Sequence, residues 1–328
     1  AAAAVAALGI ALALWPLAAA GLALLAYLSV SRPALWSAAV VLALPFYFSF
    51  DIPLPGGRAA GLIDVLLLAG IAVAAANALL FAPAESTYPK GGARNSRRLA
   101  WLLAALIAWA LVAVFAAEHF TVALREWRTV FLSAGLFAVL LAATFRASAS
   151  PSRDLWLIMA SWVTGGAVAA AIGLAQYLAG AMLISAEGVY RIRAFYGSPN
   201  NLALYLERTF LAALAWAAFF PAGRARLLSA LAAGLQGAAL LLTFSKGALF
   251  LGVPAGLVTL WAGGLFILPS QGRSRRPLLW LGGVAVLFAA ALLPFLPTER
   301  FQRLLDFSQG TGYLRLQLWR SAWQMALD

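Results

Sequence analysis

The chain has 328 residues, is 64% hydrophobic and 10% charged, and carries a formal net charge of +12. Its mean hydropathy of +0.91 excludes an ordinary soluble domain, in which about a quarter of residues are charged. The positive charge lies in short clusters between apolar runs and not in a basic domain, so it points to membrane orientation and phosphate contact, with no nucleic acid as partner.

There is no cysteine, which removes disulfides and thiolate metal sites. One histidine and no carboxylate cluster argue against a metal site.

Ten apolar runs can be laid out, at roughly 3–29, 34–50, 61–81, 99–117, 128–145, 155–182, 201–221, 227–243, 247–267 and 278–297. They read as transmembrane helices, because only helices and closed barrels satisfy their backbone in lipid. They are too continuous for barrel strands, which alternate over about 10 residues. The expected fold is therefore all-α: a polytopic transmembrane helix bundle of about ten spans over 1–297. A periplasmic segment is expected to begin at 298–328 with an amphipathic helix.

The first run contains Trp15-Pro16 and reads as a kinked helix or two short ones. It has no basic leader, which favours a span over a signal peptide. The region from Pro45 to Pro55 breaks the second run into a loop. Residue 1 is Ala and the chain stops at Asp328 within a helical pattern, so the sequence reads as a piece of a longer protein.

The connections alternate in character. One set is bare Arg and Lys: Arg32; Lys90, Arg94, Arg97 and Arg98; Arg146 and Arg153; Arg224 and Arg226; Arg273, Arg275 and Arg276. It holds 12 of the 23 basic residues, accompanied only by Glu85 and Asp154. The other set mixes its basic residues with Tyr, Trp, Asn and acids. By the positive-inside tendency the first set is assigned to the cytoplasm and the second to the outside.

Four outward segments carry polar residues. In EHFTVALREWR, His119 is the lone histidine, a type more often found at a surface or cap than in catalysis. Glu118 and Glu126 can pair with Arg125 and Arg128. The stretch from Glu187 to Arg208, EGVYRIRAFYGSPNNLALYLER, gathers Arg191, Arg193, Tyr196, a Gly-Ser-Pro turn and an Asn-Asn pair at the mouth of an apolar run. Charged groups there mark a site by default, although a solvated loop with Asn200 or Asn201 as helix cap would look the same.

In LLTFSKGALFLGV, Thr243, Ser245 and Lys246 lie between two apolar runs. Lys246 either snorkels to the interface or holds an anion. In YLRLQLWRSAWQMALD, a period of about 100° per residue puts Leu318, Trp319, Ala322, Trp323 and Ala326 on one face. Arg315 falls among the apolar residues, where it wants a partner or must reach past the edge to water.

The RIRAFYGSPNNLALYL, LLTFSKGALF and GYLRLQLWRSAWQMALD runs, in this order and spacing, resemble the O-antigen ligase and polymerase superfamily. The resemblance covers about 140 residues. It implies a multi-pass glycosyltransferase of the bacterial inner membrane, with its site facing the periplasm. Such an enzyme moves a glycan from an undecaprenyl-diphosphate carrier to a glycan or lipid A-core acceptor, with neither metal nor cofactor. Lys246 takes the place of the family's arginine in a Ser-Arg-Gly turn, Arg315 that of the arginine opening the periplasmic helix, and Arg191 or Arg193 that of the loop arginine. Pro199-Asn200 matches the Pro-Asn. Tyr196, Asn200 and Ser245 are expected to support the diphosphate site. The family's catalytic histidine lies downstream of the tryptophan helix, past Asp328, and His119 does not match it. These 328 residues alone are therefore expected to lack transferase activity. The other readings are a polymerase of carrier-linked repeats, a transporter or flippase of lipid-linked glycans, and a membrane scaffold.

Overall fold

The computed structural model describes residues 15–47, 51–54, 58–81, 92–221, 223–270, 272–302 and 310–327. The chain divides into two compact units, Ala1–Gly165 and Gly166–Asp328. The first holds helices α1 (Trp15–Ser31), α2 (Ala34–Ala43), α3 (Leu62–Leu80), α4 (Gly92–Phe115) and α5 (Phe120–Arg146). Helix α6 (Pro151–Leu178) runs from the first unit into the second. The second holds α7 (Pro199–Phe219), α8 (Arg224–Leu242), α9 (Ala248–Ser270), α10 (Arg276–Leu292), α11 (Glu299–Gln302) and α12 (Gly310–Leu327).

Among the described residues, eight helices are long and apolar enough to cross a membrane, and two apolar stretches, Ala20–Ser31 and Ala34–Phe46, are shorter. Each of the ten runs thus carries a helix, and the protein is an α-helical membrane protein by length and composition. The part of the first run before Trp15 lies outside the described residues. Two antiparallel hairpins interrupt the helices: β1 (Asp51–Leu54) with β2 (Arg58–Gly61), and β3 (Ile184–Ala186) with β4 (Val189–Arg191). Both fall where a plain loop was expected.

In the first unit, Trp36, Val40, Leu66, Leu67 and Leu140 form the centre of a core shared by α2, α3 and α5. Lipid is as apolar as leucine, so polar bonds and close packing hold such helices together, at roughly 0.6–2 kcal/mol per bond. The Trp36 indole donates to the Leu66 carbonyl at 2.7 Å. The Ser37 and Thr144 hydroxyls share a hydrogen bond of 2.8 Å, and Asn77 Nδ2 donates to the Val30 carbonyl at 2.6 Å.

Two acids of this unit pair with arginines distant in sequence. Arg32 meets Asp154 at 3.0 Å, and Arg128 meets Asp64 at 3.5 Å. Arg128 therefore pairs with a carboxylate distant in sequence, not with Glu118 or Glu126, while Glu126 does lie 3.5 Å from Arg125. His119 is exposed, and its carbonyl, not its ring, caps the start of α5 by accepting from the Ala123 N–H at 3.0 Å.

The second unit is built around α7, whose small residues Ala203, Ala213, Ala217 and Ala218 are almost wholly buried. Small residues let membrane helices approach closely. Gly166 of α6 shows the limit: a Cβ there would collide with Thr209 of α7 and stand 2.8 Å from Gln236 Oε1 of α8. The ends of α6, α8 and α10 and the starts of α7 and α9 follow one another in alternation, so these termini gather at one end of the unit. At the opposite helix ends two of the bare arginines cap carbonyls, with Arg226 Nε donating to Ala217 at 2.8 Å and Arg273 Nη2 to Phe219 at 3.3 Å.

Helix α12 forms as expected, but its apolar face is not buried. Leu318, Trp319 and Trp323 are exposed, because no described element packs against them.

Candidate anion-binding site

The site is assembled where α8 ends. The last carbonyls of a helix have no partner within it and carry partial negative charge. Here the turn after Leu242 directs three successive carbonyls at donors. Leu242 accepts from the Ile192 N–H at 3.2 Å. Thr243 accepts from Arg191 Nε at 2.7 Å, and Phe244 accepts from Arg300 Nε at 2.7 Å. Two arginines thus sit at a helix C-terminus, where a cation is stabilised.

The turn demands an unusual backbone. Phe244 has φ +47°, rare for a bulky residue. Its ring is held edge-on to Phe295 at 5.1 Å and lies 5.9 Å from Phe301. Phe301 in turn meets Phe250 edge-on at 5.2 Å. This aromatic stack pins the short helix α11, and with it Arg300.

The start of α7 completes the frame. Ser198 caps the helix by accepting from the Asn200 and Asn201 N–H groups at 3.2 and 3.4 Å, and Pro199 occupies the first turn. Ser198, not Asn200 or Asn201, is therefore the cap, because the residue before a first-turn proline adopts the extended backbone a cap needs. Asn200 is left to accept from Arg191 Nη2 at 2.7 Å.

At the centre lies Glu187, in the turn of the β3–β4 hairpin. Its Oε2 is 2.9 Å from Arg300 Nη1 and 3.4 Å from Lys246 Nζ. Burial, together with the charge of Arg300, lowers the Arg191 guanidinium to about 10, against the pull of Glu187. It remains cationic at neutral pH. Burial also lowers Arg300, Glu187 opposes this, and the charge of Arg315 adds to the lowering. Arg300 therefore lies within the electrostatic reach of both Arg191 and Arg315.

The expected residues distribute unevenly. Arg191 and Lys246 are brought to one cluster. Arg315 is exposed on α12, within electrostatic reach of Arg300. Arg193 turns instead to the approach of the hairpin, with Nε 3.4 Å from the Met182 carbonyl. Tyr196 is buried beside Tyr205, ring centroids 6.0 Å apart, and burial raises its phenol above the usual range. Ser245 is buried and braces the turn through its N–H, 3.3 Å from Thr243 Oγ1. Arg300 and Glu187 had no assigned role in the sequence reading. The signal for Arg300 was a Thr-Glu-Arg-Phe segment after a proline, the pattern of a helix start.

Among the described residues no three of His, Cys, Asp and Glu come together as a metal would need. The arrangement can hold a multiply charged anion: Arg191 and Arg300 are fixed by carbonyls and by an asparagine, and Arg300 and Lys246 face one carboxylate. No known family model, curated protein or solved structure matches the chain, so the likeness to O-antigen ligases rests on its motifs alone.

Proposed function

We propose that the protein is a membrane glycosyltransferase of the O-antigen ligase type, moving a glycan from an undecaprenyl-diphosphate carrier to a lipid A-core or other glycan acceptor. The observation that carries this reading is the pairing of Lys246 and Arg300 with a single carboxylate at helix ends, beside a buried Arg191 that feels the same carboxylate's charge. In such a transfer the acceptor hydroxyl attacks the anomeric carbon, and the bond from that carbon to the diphosphate breaks. Negative charge then grows on the leaving diphosphate. Fixed cations in a partly dry site stabilise that charge more in the transition state than in the ground state. The acceptor's proton passes to a general base, a role the resemblance gives to a histidine. No nucleotide is required, because the donor is already activated. The inner membrane and a periplasm-facing site follow from this reading and from the distribution of bare arginines.

The test is transfer by the full protein in proteoliposomes, supplied with an undecaprenyl-diphosphate-linked glycan and lipid A-core. A new glycosidic product and free undecaprenyl diphosphate are expected. Lys246→Ala should lower the rate about 100-fold, the scale of one lost charge-stabilising group. Movement of the glycan across the bilayer with no bond formed would replace this reading with a flippase. Full activity in both Lys246→Ala and Arg315→Ala would also overturn it.

A further inference from the structure

The cation cluster already holds an anion, and that anion belongs to the chain. One oxygen, Glu187 Oε2, bridges Arg300 Nη1 at 2.9 Å and Lys246 Nζ at 3.4 Å. This is the contact a phosphate oxygen makes with a pair of cations.

The backbone is unfavourable for a glutamate at this position. Glu187 has φ +53° and Gly188 φ +74°, the left-handed pair of a tight two-residue hairpin turn. Asn, Asp and Gly are the residues that suit such a turn, and Gly188 meets the requirement where Glu187 does not. A non-glycine residue in this region persists only when its surroundings over-determine it. Here the surroundings are the two cations.

The hairpin is anchored unequally. Its β4 end is fixed: Arg191 bonds Thr243 and Asn200, and the neighbouring Ile192 is fully buried with its N–H on Leu242. The strands pair over only Ile184–Arg191, Ser185–Tyr190 and Ala186–Val189, a length that is marginal for an isolated hairpin. The tip is held by the ion pairs of Glu187, with the Glu299 side chain lying over Gly188. If Glu187 leaves the cations, the tip can swing while the β4 end stays in place.

We propose that Glu187 is a resident stand-in for the substrate's phosphate: its carboxylate takes the anion position between Lys246 and Arg300, and an incoming diphosphate displaces it. This rests on the diphosphate reading above. The stand-in also sets a threshold that an incoming anion must exceed. A diphosphate brings several acceptor oxygens and at least two negative charges, and so exceeds what one carboxylate offers the cluster. An anion of low charge does not, and Glu187 excludes it.

The experiment compares the wild-type protein in lipid nanodiscs with Glu187→Gln and Glu187→Gly, using calorimetry with inorganic pyrophosphate and inorganic phosphate as probes. Glu187→Gly suits the left-handed backbone, so it keeps the test valid if the glutamine variant folds poorly. Both variants should bind pyrophosphate about tenfold more tightly than wild type, the scale of one competing charge-assisted bond. Their gain for phosphate should be of the same size, because the displacement of Glu187 costs the same for either anion. Unchanged or weaker pyrophosphate binding in both variants, with wild type binding, would overturn the stand-in and make Glu187 a structural tether. Absence of pyrophosphate binding in all three proteins would instead overturn the diphosphate reading itself.

Discussion

Arg191 joins two elements through one guanidinium. Its Nε and Nη2 hold the Thr243 carbonyl and Asn200 Oδ1, both at 2.7 Å. Lysine keeps the charge but loses the planar fork. Arg191→Lys should therefore leave one buried acceptor unpaired and cost roughly 1.5–3 kcal/mol, the range for a hydrogen bond to a charged group. Thermal unfolding in detergent would register this as a lowered midpoint, and an unchanged midpoint would show that the two bonds are dispensable. Phe244 sets two opposing effects against each other. Glycine there would relieve a left-handed backbone worth about 1–3 kcal/mol, but would remove a buried ring worth about 3–5 kcal/mol. Packing should win, so Phe244→Gly is expected to destabilise by about 2 kcal/mol in the same assay. A stabilised variant would mean that the ring contacts with Phe295 and Phe301 contribute little.

At the scale of elements, the site depends on a four-residue helix and a hairpin with three-residue strands. Helix α11 has no lipid-spanning length to hold it, and its place is fixed by the ring of Phe301 between Phe244 and Phe250. Phe301→Ala should therefore act on Arg300 at a distance. Its expected signature is pyrophosphate binding weakened to the level of Arg300→Ala; binding at the wild-type level would show that Arg300 is held by Phe244's carbonyl and Glu187 alone. The same two elements explain what could not be read in the chain. Lys246 was legible because a lysine between two apolar runs is costly and conspicuous. Arg300 was not, since four residues carry no helical period. Glu187 was not, since its meaning lies in a tight turn and in partners 59 and 113 positions away. The cap of α7 was expected at Asn200 or Asn201 and is Ser198, because all three are good capping residues and only the position of Pro199 separates them.

At the scale of the whole molecule, the helices were legible and their environments were not. Length and hydropathy act locally, so among the described residues each of the ten apolar runs carries a helical stretch, with ends shifted by up to about eight residues. Which face meets protein and which meets lipid depends on partners. Helix α4 leaves Trp101 and Trp109 exposed, while Trp36 of α2 is buried against α3. Helix α12 has the amphipathic pattern read from its sequence, yet its tryptophans remain exposed. The loop arginines could not be told apart by spacing. The geometry separates them, with Arg191 in the cluster and Arg193 directed to Met182.

The proposed seat for a lipid diphosphate lies at the end of α8, where Arg191 and Arg300 meet its last carbonyls. Its most direct test is equilibrium binding of a short prenyl diphosphate to the protein in nanodiscs, against the matching prenyl alcohol. Saturable binding of the diphosphate is expected, with Lys246→Ala and Arg300→Ala each weakening it by about tenfold or more and leaving any alcohol binding unchanged. Equal affinity for diphosphate and alcohol, or indifference to both substitutions, would contradict the claim.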